Sequence, residues 1–210
     1  MNLTQIIEKF GKEAKIIFVF RHGKKTEDGK HITVECLKSI VENGVPGAST
    51  NINTIHRGSA FVRTEETVLA LKLWIMRNGG EFLDCLGLVN DDLSADPRLA
   101  NEKVFKVFTP EILGKKKSEG LSNYEVMEKY CKEDFEGYQY DLRQIIEDLL
   151  ENRVCEGDVC AVPAHTPTVE IIYNTFTAEK DPKFEAKELE GIFVVEDEKG
   201  ERHAFIATEE

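Results

Sequence analysis

Three short segments of the chain combine residue types that can bind an anion and attack it. The first is Arg21-His22-Gly23, directly after the apolar run KIIFVF. The arginine offers a planar, permanently charged fork matched to phosphate oxygens. The histidine offers a nitrogen nucleophile, provided its ring is neutral with one nitrogen free. Gly23 lets the backbone turn sharply and approach a ligand. The second segment, Gly58-Ser59-Ala60-Phe61-Val62-Arg63-Thr64-Glu65-Glu66-Thr67, sets Arg63 at the start of a helix, where free backbone amides also favour an anion. The third, Val162-Pro163-Ala164-His165-Thr166-Pro167-Thr168, places His165 at the end of a strand. Each segment alone also reads as ordinary structure: a strand-ending turn, a solvated helix-start arginine, a structural histidine.

The elements that must carry these residues alternate between strand and helix. Residues 14–20, AKIIFVF, form a continuous apolar run between a charged, helix-like start and Arg21, which reads as a buried central strand. Thr33 to Asn43 puts Val34, Leu37, Ile40 and Val41 on one helical face, and Asn43-Gly44 stops it. A second strand is expected around Asn53–Ser59. A helix follows from Thr64 to Asn78, apolar almost all round over VLALKLWIM and so expected to be well buried. A third strand falls at Phe82–Val89, before the polar loop NDDLSADPR. Pro110, Gly114 and Gly120 break the pattern between 100 and 132, which reads as loops and short helices.

The clearest amphipathic helix is 135–152, with Tyr138, Leu142, Ile145, Ile146, Leu149 and Leu150 at helical spacing. Asp158–Ala164 is a short strand, and Thr166-Pro167 opens another helix as N-cap and first-turn proline. GIFVVEDEKGERHAFIA reads as two strands joined by a charged turn. This order implies a three-layer α/β/α sandwich around a mostly parallel sheet, made mixed by the final hairpin. In such sheets the binding site lies beyond the strand ends, where all three segments fall.

Composition narrows the partners. At 210 residues one domain spanning 1–210 is expected, with an insertion around 97–134. With 27 Lys and Arg against 39 Asp and Glu, the net charge of −12 opposes binding to nucleic acid or anionic membrane. A small phosphorylated substrate is still compatible, because a few arginines can reverse the field inside a cleft. No apolar run reaches the roughly 18 residues that span a bilayer, and the start lacks the pattern of a signal peptide. Five cysteines, an odd number without a Cys-x-x-Cys pair, fit free thiols in a reducing cytoplasm. Cys155 and Cys160 are the pair whose proximity would permit a redox role.

Taken together and in this order, Arg-His-Gly after the first strand, Ser-x-x-x-Arg-x-x-x-Thr at a helix start and a late strand-ending histidine resemble the histidine phosphatase (phosphoglycerate mutase-like) superfamily. The resemblance runs from about residue 15 to about residue 176. It implies a phosphate pocket of Arg21, His22, Arg63 and His165, with His22 as the nucleophile that becomes phosphohistidine. The two arginines and a protonated His165 would neutralise the equatorial oxygens, so neither metal nor cofactor is implied. The substrate would be a small phosphorylated metabolite or a phosphoprotein.

Two departures from the family pattern matter. Mutases of the family follow Arg-His-Gly with a serine and an asparagine, whereas this chain has Lys24-Lys25-Thr26-Glu27-Asp28, which favours a phosphatase. The loop that commonly carries the acid glutamate reads Asn90-Asp91-Asp92-Leu93-Ser94-Ala95-Asp96-Pro97-Arg98-Leu99. Asp96 and Asp92 are therefore the candidate general acids, with Asp91 and Glu102 next. The missing glutamate also motivates a different reading, a binding or regulatory protein that kept the phosphate pocket with little turnover. A phosphomutase is the third.

Overall fold

Lys15–Arg21 form β1, the strand on which the rest of the sheet is built. Side chains alternate across a strand, and β1 uses both faces: Ile17 and Val19 enter one apolar cluster, Ile16, Phe18 and Phe20 the other. A computed structural model describes residues 1–80, 84–86 and 96–208. Its further strands are β2 (Ile52–His56), β3 (Asp84–Leu86), β4 (Val159–Ala164), β5 (Gly191–Glu196) and β6 (Arg202–Ile206). They make one six-stranded sheet in the order β3-β2-β4-β1-β5-β6. β3, β2, β4 and β1 run parallel, and the β5–β6 hairpin pairs antiparallel with β1.

Helices cover both faces. On one side α1 (Leu3–Phe10), α2 (Val34–Asn43) and α3 (Val62–Arg77) close over Phe18, Phe20 and Phe193. The Phe18 ring lies 5.1 Å from Phe20 and 5.0 Å from Phe193. On the other side α7 (Lys132–Asn152) and α8 (Thr168–Phe176) pack Leu142, Ile145, Ile146 and Leu149 against Cys160, Val162 and Val194. The result is the three-layer α/β/α sandwich with a mixed, mostly parallel sheet that the pattern of elements implied.

Between a 3-10 turn at Pro97–Ala100 and α7 lie three short helices, α4 (Glu102–Lys106), α5 (Pro110–Glu119) and α6 (Asn123–Tyr130). Pro110 occupies the first turn of α5 behind the Thr109 cap, and Gly120 ends it with φ +63. Gly114 stays inside the helix, so it does not break the pattern. Ser122 and Glu125 form a capping box on α6, which satisfies two free amides reciprocally. Val104, Tyr124 and Met127 anchor this helical segment in the same cluster as α7.

Two further expectations are corrected. The helix α3 is not buried all round: Leu69, Leu73 and Met76 are 48%, 56% and 56% exposed, while Val68, Leu71 and Ile75 face inward. A helix in an outer layer meets the sheet from one side only, and composition cannot tell which side that is. Thr166 is not the N-cap of α8 either. That position falls to Pro167, with no side-chain cap, and the Thr166 hydroxyl instead donates to the Glu170 carboxylate.

Candidate active site

The parallel strands β2, β4 and β1 are adjacent, and each delivers a site segment from its C-terminal end. The register pairs Arg21 with Ala164, and the His22 amide donates to the Ala164 carbonyl at 3.0 Å. His22 and His165 are the next residues on their strands, so their rings meet edge to face with centroids 4.8 Å apart. The β2 chain turns at Gly58, where a Cβ would lie 2.3 Å from the Pro163 carbonyl oxygen. Only glycine allows this loop to press against β4, and the approach brings Ser59 and Arg63 to the two histidines.

His22 is 5% exposed. Its Nδ1 lies 2.6 Å from the Gly23 carbonyl, which can only accept, so the proton is assigned to Nδ1. Nε2 then carries the free lone pair, and the Arg63 Nε–H donates to it at 3.2 Å. Burial pulls the imidazole pKa down to about 4, the charges of Arg63, Arg21 and Lys25 add to this, and the Gly23 bond opposes it. Near neutral pH the ring is uncharged, with Nε2 unprotonated.

His165 is held from both sides. Its Nε2 lies 2.5 Å from the Ser59 hydroxyl, and its Nδ1 lies 3.5 Å from Arg63 Nη2. Arginine only donates, so Nδ1 accepts and Nε2–H points to Ser59. Burial, then repulsion from His22, Arg63, Arg21 and Lys25, keep its pKa well below the ordinary value, so near neutral pH the ring is neutral rather than the protonated partner that the resemblance implied. The rings of Phe61 and Phe105 stand nearly perpendicular to it, with centroids at 5.1 and 5.7 Å.

Arg63 links the parts. Its guanidinium lies 4.2 Å from the Phe61 ring centroid, a cation–π geometry, and its Nη1 donates to the Gly29 carbonyl at 2.9 Å. That carbonyl belongs to the turn Lys24–Thr33, which Glu66 pins through His31 Nδ1 at 2.7 Å and the Ile32 amide at 2.8 Å. Arg21 donates from Nη1 to the Ala186 carbonyl at 3.1 Å, and its buried Nε has no partner. Lys25, on the same turn, is exposed, and its charge is felt by both histidines.

His22, Arg63 and His165 are thus in direct contact, with Arg21 beside them. Asp96 lies beside the site, its amide donating to the Gly58 carbonyl at 3.0 Å, but its carboxylate is engaged elsewhere. It caps the 3-10 turn, and its two oxygens accept from the Arg98 side chain at 2.6 to 3.1 Å. The hydrogen bonds and charge of Arg98 outweigh the effect of burial and hold its carboxyl below the usual range. A proton donor needs the opposite environment, so this aspartate is placed as a cap. Asp91 and Asp92 lie outside the described residues. Ser59, Phe61 and Phe105 are the contacts that the sequence left without a role. Ser59 had a signal, its fixed place four residues before Arg63, but the aromatic rings had none.

No protein-family profile and no curated protein sequence matches the chain. Among solved structures the chain is similar to a phosphoglycerate mutase from Bacillus anthracis str. Sterne, at a TM-score of 0.53 and 15% identity, over 93% of this chain and 92% of that one. At that identity the likeness concerns the fold, and the fold is phosphoglycerate mutase-like.

Proposed function

We propose that the chain is a member of the histidine phosphatase superfamily that hydrolyses phosphomonoesters through a phosphohistidine on His22, without a metal. One observation carries this reading: a buried, neutral imidazole has its Nδ1 tied to Gly23 and its Nε2 turned toward Arg63, beside a second histidine and Arg21. In the first step Nε2 attacks phosphorus, the bond to the leaving oxygen breaks, and that oxygen takes a proton from a general acid. In the second, water attacks the phosphohistidine, giving its proton to the same group and returning His22 to the neutral form. Arg21 and Arg63 counter the charge on the equatorial oxygens. As phosphate enters, Arg63 exchanges its bond to His22 for bonds to the ligand, which frees the nucleophile.

Asp92, which follows β3 in the sequence, is the acid in this proposal, with Asp91 behind it. Glu102, at the start of α4, is the third candidate. The fit is to a small phosphorylated metabolite or a phosphorylated protein side chain in the cytoplasm. Among the described residues no helix is long and apolar enough to cross a membrane.

A second reading, a phosphate-binding protein with little turnover, is favoured by one observation. Among the described residues no carboxyl group hydrogen-bonds to Arg21, His22, Arg63 or His165. Alkyl phosphates separate the two, because an alkoxide needs a proton to leave and a nitrophenolate does not. The enzyme reading expects turnover of both ester types in excess EDTA and its loss in His22→Ala. Turnover of the nitrophenyl ester alone favours the binding protein, and full activity in His22→Ala removes the phosphohistidine mechanism.

A further inference from the structure

One buried ionisable group close to the site has no part in this mechanism. Glu170 lies in the first turn of α8 and is 0% exposed. Its Oε1 accepts from the Thr166 hydroxyl and from the Ala186 amide, the latter at 3.1 Å. Its Oε2 is buried without a partner. The Ala186 carbonyl is the acceptor for Arg21 Nη1 at 3.1 Å. One residue, Ala186, is therefore held by Glu170 through its amide while it holds Arg21 through its carbonyl. Thr166, the other partner of Glu170, follows His165 directly and is tied to α6 by Asn123 Nδ2 at 3.1 Å.

We propose that Glu170 is a positioning residue for the phosphate site, fixing Arg21 through Ala186 and the turn that carries His165 through the Thr166 hydroxyl. The inference rests on the phosphate-site reading above. A buried carboxyl that touches no exposed surface would ordinarily be replaced by an apolar side chain. Here its two hydrogen bonds both lead to the segments that present Arg21 and His165. The charged and titratable groups that interact with it are Arg21 on β1 and Tyr138 on α7, and Glu185 and Lys187 flank Ala186 in sequence. Glu185 is already paired with Lys116 at 2.6 Å, and Tyr138 is hydrogen-bonded to Thr168 at 2.8 Å. Burial raises the Glu170 pKa to about 7, against the opposing pull of its hydrogen bonds and of Arg21. The carboxyl therefore changes charge near neutrality, beside one of the two arginines of the pocket.

Sulfate is the probe, because it is a tetrahedral dianion that does not titrate between pH 6 and pH 8. Its dissociation constant is measured by calorimetry for the full-length wild type, Glu170→Gln and Glu170→Ala. Glutamine keeps the Oε1 acceptor and loses the charge; alanine loses both. At pH 6, where the wild-type carboxyl is largely protonated, alanine should weaken sulfate about tenfold, the scale of losing one hydrogen bond to a charged group, and glutamine should restore most of it. Wild-type affinity should also rise as pH falls from 8 to 6, as Glu170 takes up a proton and stops offsetting Arg21, while Glu170→Gln stays flat. The near-isosteric glutamine variant carries the test even if the alanine variant does not fold. Equal affinity in Glu170→Ala and wild type, or parallel pH profiles in wild type and Glu170→Gln, overturns the inference. A wild type that binds no sulfate defeats the phosphate-site reading itself, and the inference with it.

Discussion

His22 should make the protein acid-sensitive in a way that can be isolated. In the folded chain burial and three neighbouring cations hold its pKa at about 4, whereas an unfolded chain protonates it from 6.5 downward. Between those values the unfolded state binds the extra proton, so stability is full above pH 6.5 and is lost as pH falls. From these two values, one histidine removes about 2 kcal/mol of stability between pH 8 and pH 5. Urea unfolding of wild type and His22→Asn at both pH values isolates the contribution, since His56, also lowered to about 4 by burial, is present in both proteins. The variant should lose about 2 kcal/mol less than wild type on the same acid step. Removing His22 also relieves His165, which moves the result in the same direction. If the two proteins lose equal stability to within about 0.5 kcal/mol, the imidazole is not held neutral. The argument for a free Nε2 lone pair then fails.

Three other substitutions probe the frame of the site. Asp96→Ala should cost about 1 kcal/mol as a lost cap and slow alkyl and aryl phosphates by the same factor; a selective loss on alkyl esters would return Asp96 to the role of acid. Ser59→Ala leaves the buried Nε2–H of His165 unpaired, so urea unfolding should register a loss of about 1–3 kcal/mol, together with a fall in kcat. Unchanged stability would mean that the Ser59–His165 bond does not form in solution. Gly58→Ala combines φ +75 with a Cβ 2.3 Å from the Pro163 carbonyl; thermal melting should detect more than about 2 kcal/mol of destabilisation, and a wild-type melting temperature would refute the close approach of this loop to β4.

The layers of the fold and the strand ends that carry Arg21, His22 and His165 are legible in the sequence because both are local properties. A short continuous apolar run rich in β-branched and aromatic residues before Arg-His-Gly reads as a buried strand, and a buried strand in an alternating chain has helices on both faces. The 3.6-residue spacing from Tyr138 to Leu150 likewise fixes one face of α7 without knowing its neighbour. Tertiary structure alone decides what each polar group touches. The Ser59–His165 bond spans 106 positions, and Arg63 reaches across 41 to His22. Neither separation leaves a periodic trace. Asp96 reads equally as acid or cap until Arg98 is seen to take both of its oxygens. Thr166 looks like a helix cap until Glu170, one turn on, draws its hydroxyl away from the backbone. The solvent side of α3 is decided the same way, because its stretch VLALKLWIM, apolar almost all round, carries no mark of which face the sheet will cover. Composition and spacing specify what a residue can do; the partner that long-range packing brings within about 3 Å decides which of those things it does.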